Sequence, residues 1–280
     1  MNITAKAAAV YLANTPSPAH LFPLFESNPD QIIAPASLTK LVTAYTALRV
    51  SPDVNHRIDV IGFDADIPGS TPDLRDGDQL TLWGALTMML LPSSNSAAAA
   101  VARTYGALLL KREGKPALTH AQCIARFVEE MNVNAARMGM FNSVFMNAHG
   151  LGAKGQRTTA RDVGRLMLAV SNDFAILDIW SKSHAVVTIT GANARPHRVT
   201  SRLIPIREKE DGINGGKTGT LYPSIYHLAV CASMPNGNNV IAIVLGEGEP
   251  ELRDNAMRIM LMRLRQSYAW PDMRPTLQMR

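Results

Sequence analysis

The chain has 280 residues, 46% of them hydrophobic and 18% charged, with a net charge of +5. That is ordinary globular composition with length enough for a large core, and no run of roughly 18 apolar residues is present to form a membrane-spanning helix. The basic residues are scattered rather than gathered into a stripe with interleaved aromatics, so nucleic acid is not the expected partner; acidic substrates or an anionic cell-wall surface suit the charge better.

In chain order, residues 5–12 read as a strand, followed by a turn at Pro16 and Pro18 and a second short strand at 21–26. The N-terminus has no charged n-region, and Ala7 to Ala13 is too brief for an export signal. Pro35 then opens a helix to about Val50, with Leu38, Leu41 and Val42 as its apolar stripe. Residues 51–80, dense in Pro, Gly and Asp, read as a loop-rich excursion.

Thr81 is placed to cap a helix over 82–91 that Pro92 stops. Ser93-Ser94-Asn95 is a polar turn before a helix over 96–111. Thr119 caps the most periodic helix, with Ala121, Ile124, Val128, Met131, Ala135 and Met138 as its stripe. Thr159 and Asp162 suggest a capping box opening a helix with Val163, Leu166, Met167 and Val170 inward. Residues 185–190 are strand-like, and Asn214 to Thr220 reads as a turn leading into two strong strands, 225–232 and 239–245, joined at Pro235-Asn236-Gly237. The last helix, 251–265, carries Leu252, Ala256, Ile259 and Met260 on one face, and the tail from Trp270 reads as loose. Strands at both ends with helices between predict an α+β fold, one antiparallel sheet flanked by helices with a helical lobe, in a single domain.

Three short motifs carry chemistry. In Ser37-x-x-Lys40, positions three apart on a helix share a face, so the lysine can touch the serine. A serine hydroxyl needs a base, and a buried lysine with a lowered pKa can act as one. The bland alternative is a helix start with a solvated lysine. Ser93-x-Asn95 and Lys217-Thr218-Gly219 follow; alone, they would be a helix cap, a turn residue and a turn entering a strand.

In this order the three are the signature shared by penicillin-binding proteins and class A β-lactamases. The sequence resembles the serine D-alanyl-D-alanine carboxypeptidases, the low-molecular-mass penicillin-binding proteins of peptidase family S11. Phe127 to Asn132, Met138-Gly139-Met140, Phe145 to Leu151 and Thr159 to Asp162 extend the resemblance over most of residues 5–265. It implies a β-lactamase/transpeptidase-like fold and a substrate class of peptidoglycan stem peptides, with β-lactams as inhibitors. By the same resemblance Ser37 attacks the carbonyl between two D-alanines, Lys40 accepts its proton and Ser93 relays a proton to the leaving group. Asn95 holds a substrate amide, while Lys217 and Thr218 suit the terminal carboxylate. Gly219 admits the substrate backbone, and the N–H groups of Ser37 and Thr220 form the oxyanion hole. Arg253 stands where relatives carry a carboxylate-binding arginine, though a surface arginine at a helix start is the rival reading. His149 is read as structural. No metal or cofactor is implied.

The sequence departs from many relatives in having Ser96 rather than Asp after Asn95, and Thr220 rather than His after Gly219. The residues after Gly219 suffice for two strands, a helix and a tail, so a catalytic domain alone is expected, working outside the cytoplasm with its export signal missing from this chain. Cys123 and Cys231 are read as buried thiols, a disulfide between them being the alternative. Three rival functions stand beside the carboxypeptidase: a D,D-endopeptidase of the same family, a class A-like β-lactamase and a non-catalytic penicillin-binding sensor. The second needs a water-activating glutamate; Glu129 is suitably spaced from Ser93 but lies within the periodic helix, and is counted as coincidence.

Overall fold

The computed structural model describes residues 4–13, 20–68, 73–115 and 119–268. Its strands are β1 (Ala7–Leu12), β2 (Phe22–Ser27), β3 (Arg57–Asp59), β4 (Asp78–Thr81), β5 (His184–Gly191), β6 (Arg195–Thr200), β7 (Ile213–Leu221), β8 (Ile225–Ser233) and β9 (Asn239–Glu247). Its helices are α1 (Thr39–Val50), α2 (Gly62–Ala65), α3 (Leu82–Leu90), α4 (Asn95–Arg112), α5 (His120–Arg137), α6 (Ala160–Val170), α7 (Phe174–Trp180), α8 (Ile204–Arg207) and α9 (Pro250–Tyr268). The turn at Pro16 and Pro18 and the tail from Trp270 lie outside the described residues.

A five-stranded antiparallel sheet in the order β2-β1-β9-β8-β7 joins both ends of the chain. Its central strands are apolar on both faces because both faces are covered. Ala7, Ala9, Ala229, Ile241, Ile243 and Leu245 face a core that includes α1 and α6. The alternate residues Ala8, Val10, Leu228, Val230, Ala242 and Val244 face Met257, Met260 and Leu261 of α9. The period-2 split follows from strand geometry. Helices α3, α4 and α5 build the lobe against α1, with residues 97–102, alanines apart from Val101, buried.

Several expectations are corrected. Among the described residues there are two sheets: a second, four-stranded one runs β3-β4-β5-β6. It takes β3 and β4 from the supposed loop at 51–80. Its strands β4 and β6 are tied by an ion pair that spacing does not reveal, Arg195 to Asp78 at 2.8 Å, and beside the sheet α4 is tied to α2 by Arg103 to Asp64 at 2.8 Å. Asn214 to Thr220 is strand β7, not a turn; pairing with β8 overrides the poor strand propensity of its glycines. Helix α7 went unread, although Asp173 caps it by accepting from the N–H groups of Ala175 and Ile176. Helix α1 starts only at Thr39, after a 3₁₀ turn over Ala36–Leu38. At α6 only half the capping box forms: Thr159 accepts from the Asp162 N–H, but the Asp162 carboxylate turns to Ser143, Asn142 N–H and Arg165.

One apolar stripe holds and one is rotated. On α5 Met131, Ala135 and Met138 are buried and Ile124 and Val128 pack against the core as expected, joined by Cys123, Phe127 and Asn134, while Ala121 is exposed. On α9 the buried face is Ala256, Met257, Met260, Leu261 and Leu264, while Leu252 is exposed and Arg253 buried.

Candidate active site

The helical lobe, the 3₁₀ turn and β7 meet along one groove. Lys40 is wholly buried at the first turn of α1. Its Nζ lies 3.0 Å from Ser37 Oγ, 2.7 Å from Asn95 Oδ1 and 2.6 Å from the His149 carbonyl. The two carbonyl-type oxygens can only accept, so they take two N–H bonds. A neutral amine then has one lone pair left, and Ser37 is the only one of the three partners that can donate to it. Burial, helped by the Arg202 guanidinium and opposed by Asp73, pulls the Lys40 pKa down to about 7. The arrangement is that of a serine with a base poised on its proton.

A second serine–lysine pair faces the first. Lys217 of β7 is buried and donates to Ser93 Oγ at 2.8 Å and to the Thr218 carbonyl at 2.9 Å. Burial holds its pKa well below the ordinary lysine value, with Lys40, Arg202 and Arg253 adding repulsion. Ser93 is not a helix cap: Ser94 caps α4, accepting from the Ala97 N–H at 3.0 Å. Ser93 instead has a φ of 73° and Ala36, beside Ser37, a φ of 50°. Non-glycine residues hold such angles only where their surroundings impose them. At Ala36 one such surrounding is Gly150, itself at φ +89°, whose missing Cβ would stand 1.9 Å from the Ala36 carbonyl oxygen.

Ser37, Ser93, Asn95, Thr218 and Thr220 line a groove of about 360 Å³. Thr218 and Thr220 also line an adjoining chamber of about 500 Å³ that includes Arg253, Tyr222 and Tyr226. Arg202 borders both spaces, its Nε tied to the Pro92 carbonyl at 2.7 Å. Sequence reading missed Arg202, which stands just after β6, a strand the sequence reading did not contain. Arg253 is drawn to the chamber by the rotation of α9 and is braced by Asp254 at 2.8 Å.

Three expected placements differ in detail. Lys217 reaches Ser93 rather than the chamber with the arginines. The Asn95 carboxamide has its oxygen on Lys40 and its nitrogen on the Pro68 carbonyl at 3.1 Å. The space a Gly219 side chain would need is taken by His227 and Ala36, at 3.1 and 3.3 Å from the missing Cβ. His149 contributes its carbonyl to Lys40, and its Nδ1 accepts from the Leu151 N–H. Glu129 is on the outer face of α5, its side chain 71% exposed. Both cysteines are free and buried. Among the described residues no cluster of His, Cys, Asp and Glu could hold a metal ion, and no helix is long and apolar enough to cross a membrane.

Residues 4–249 match the family model described as D-alanyl-D-alanine carboxypeptidase. The D-alanyl-D-alanine carboxypeptidase DacC of Escherichia coli is 27% identical over 242 residues, covering 83% of this chain and 55% of the relative. A D-alanyl-D-alanine endopeptidase of Pseudomonas aeruginosa is 31% identical over 159 residues, covering 56% and 46%. The chain thus spans about half the length of the curated relatives it matches. The crystal structure of the Streptomyces K15 DD-transpeptidase superposes with a TM-score of 0.83 at 21% identity, covering 95% of this chain and 98% of that one, which establishes the same fold.

Proposed function

Since this chain belongs to the D-alanyl-D-alanine carboxypeptidase family of peptidases, S11, we propose that it removes the terminal D-alanine of peptidoglycan stem peptides through an acyl-enzyme on Ser37. The observation that carries the reading is the convergence of two serine–lysine pairs, each with a buried lysine, on one groove whose far side holds hydroxyl and guanidinium groups. Neutral Lys40 takes the Ser37 proton as Oγ attacks the carbonyl carbon between the two D-alanines. The oxyanion is held by the N–H groups of Ser37 and Thr220. As the intermediate collapses, the proton passes through the Ser93–Lys217 pair to the departing amine, and D-alanine leaves. Water then hydrolyses the ester. Thr218, Arg202 and Arg253 supply the donors for the substrate's terminal carboxylate, since charge-assisted bonds to guanidinium are strong and directional. Asn95 acts by fixing Lys40 as much as by touching substrate. Penicillins acylate the same serine.

The experiment is incubation with a synthetic stem pentapeptide and, separately, a fluorescent penicillin, with masses followed over time. Loss of one D-alanine and an adduct on Ser37 are expected. An adduct elsewhere, or none, would overturn the nucleophile. The 500 Å³ chamber beyond Thr218 favours a second reading, because it is far larger than one alanine needs: a D,D-endopeptidase whose leaving group is another peptide stem. A crosslinked dimer muropeptide in the same assay decides between the two. Both substrates lie outside the inner membrane, so the enzyme works there, with its net charge of +5 favouring the anionic wall. Fractionation of the host would find it in the envelope fraction.

A further inference from the structure

Behind the nucleophile turn lies a histidine that the reaction scheme does not use. His227 is fully buried in β8, opposite Gly219 of β7. Its Nδ1 accepts from the Gly246 N–H at 2.9 Å, and its Nε2 is 2.8 Å from the Ala34 carbonyl oxygen. A backbone N–H can only donate and a carbonyl can only accept, so the proton must be on Nε2. The ring is the neutral Nε2–H tautomer, and burial keeps it neutral by pulling its pKa down to about 4.

A local irregularity puts the Gly246 N–H there. Tyr226 pairs with Glu247 but Leu228 with Val244, so β9 carries one extra residue opposite His227. Gly246 sits in this bulge at φ +78°, an angle glycine adopts without cost. Bulges re-aim side chains and N–H groups, and this one turns a ladder donor onto an imidazole. The other end of the ring grips the chain just before the turn that bears Ser37. Between Ala34 and Ser37 lies Ala36, held at φ 50°. Its methyl and the His227 ring together fill the space beside Gly219.

We propose that His227 is a positioning residue for acylation: by holding the Ala34 carbonyl it fixes the left-handed Ala36 turn, and so the direction of the Ser37 N–H and hydroxyl. The proposal rests on Ser37 being the acylated serine. It also gives Gly219 a reason to be glycine that lies behind the strand rather than in the groove.

Two substitutions separate the ring's two bonds. In His227→Gln the side-chain amide N–H reaches toward Ala34, standing in for Nε2–H. In His227→Asn the shorter amide can accept from Gly246 but falls short of Ala34. Stopped-flow acylation by a fluorescent penicillin gives the acylation rate constant and the non-covalent Kd separately, with Tm measured for each protein. His227→Asn should slow acylation by about 10- to 100-fold with Kd changed less than about three-fold, since a displacement of an ångström can cost that much. His227→Gln should recover to within about three-fold of the unaltered rate. Equal rates in all three proteins, or losses that merely follow Tm in both variants, would overturn the proposal and leave the enzyme reading intact. In the unaltered protein, nitrogen-15 NMR of the ring must report a protonated Nε2; a proton on Nδ1 would sink the proposal whether or not either variant folds. No adduct on Ser37 in the unaltered protein would overturn the functional reading and this proposal with it.

Discussion

The two serine–lysine pairs of the groove are alike in chemistry and unlike in origin. Ser37 and Lys40 are three residues apart and meet at 3.0 Å because one helical turn puts them together. Ser93 and Lys217 are 124 residues apart and meet at 2.8 Å only because the lobe docks against the edge of the sheet. The first lysine has three fixed oxygen neighbours, and just one of them can give up a proton. The second is hemmed in by three cationic groups and is bonded to a serine whose own backbone is strained. A local pair is built by secondary structure; a distant pair reports whether the tertiary structure is intact.

The proposed roles imply that breaking the local pair has the largest effect. Ser37→Ala should abolish acylation by fluorescent penicillin. Lys40→Ala should lower its rate by about 10³-fold, within the range ordinary for loss of a general base. Unfolding should remain cooperative in both. Residues that act as one unit give non-additive losses, so the double variant should be no worse than Ser37→Ala. Near-normal acylation by Lys40→Ala would require another base.

Breaking the distant pair should cost less in bond making, because the proposed scheme has Ser93 and Lys217 act on the leaving group. A fall of about 10²-fold in acylation is expected for Ser93→Ala or Lys217→Ala, again without further loss in the double variant. Additive losses within the pair, measured by a double-mutant cycle, would refute the proton relay.

A third experiment sharpens the difference between the lysines. In the proposed scheme Lys40 must be neutral to act, and burial lowers its pKa to about 7, so acylation should rise with pH through about 7 and level off above it. Arg202 is the second cause of that lowering, after burial. Removing a nearby positive charge favours the protonated amine, so Arg202→Leu should move the acid limb to higher pH. The effect at neutral pH is a few-fold loss that alkali restores. An unmoved limb would show that Arg202 does not act on Lys40.

What could be read in advance follows the same division. The local motif at Ser37, the alternating strands at 225–232 and 239–245 and the Thr-capped helices were legible because their signals lie within a few residues. Strand β7 was not: four of its nine residues through Leu221 are special for other reasons, three glycines and a buried lysine, and only pairing with β8 makes it a strand. The second sheet was hidden because its strands are three to eight residues long and come from opposite sides of the lobe. Arg253 was a candidate by resemblance, but its burial was not legible, since a stripe chosen by hydrophobicity alone placed Leu252 inward where the sheet meets Met257. Arg202 and His227 carried no motif at all; their roles exist only once the groove and the bulge are formed.

The smallest effect expected is none, and it concerns the rival reading as a β-lactamase. That chemistry needs a carboxylate to activate the water that attacks the acyl-enzyme, and Glu129 was the residue whose spacing suited it. Its helix decides against it. The inward face of α5 is set by Phe127 and Met131, and the Met131 sulfur lies 3.8 Å from the Thr43 hydroxyl of α1. At about 100° per residue, a position two after Phe127 and two before Met131 points away from that face. Glu129 accordingly stands 71% exposed, with Arg126 as its ionic neighbour at 4.0 Å. Turning it to the groove would require rotating a helix that buries five side chains. The penicilloyl adduct should therefore be long-lived, and Glu129→Gln should leave its lifetime unchanged within error when intact-mass spectra are followed over hours. A markedly longer-lived adduct in that variant would restore the β-lactamase reading and would mean that α5 moves after acylation.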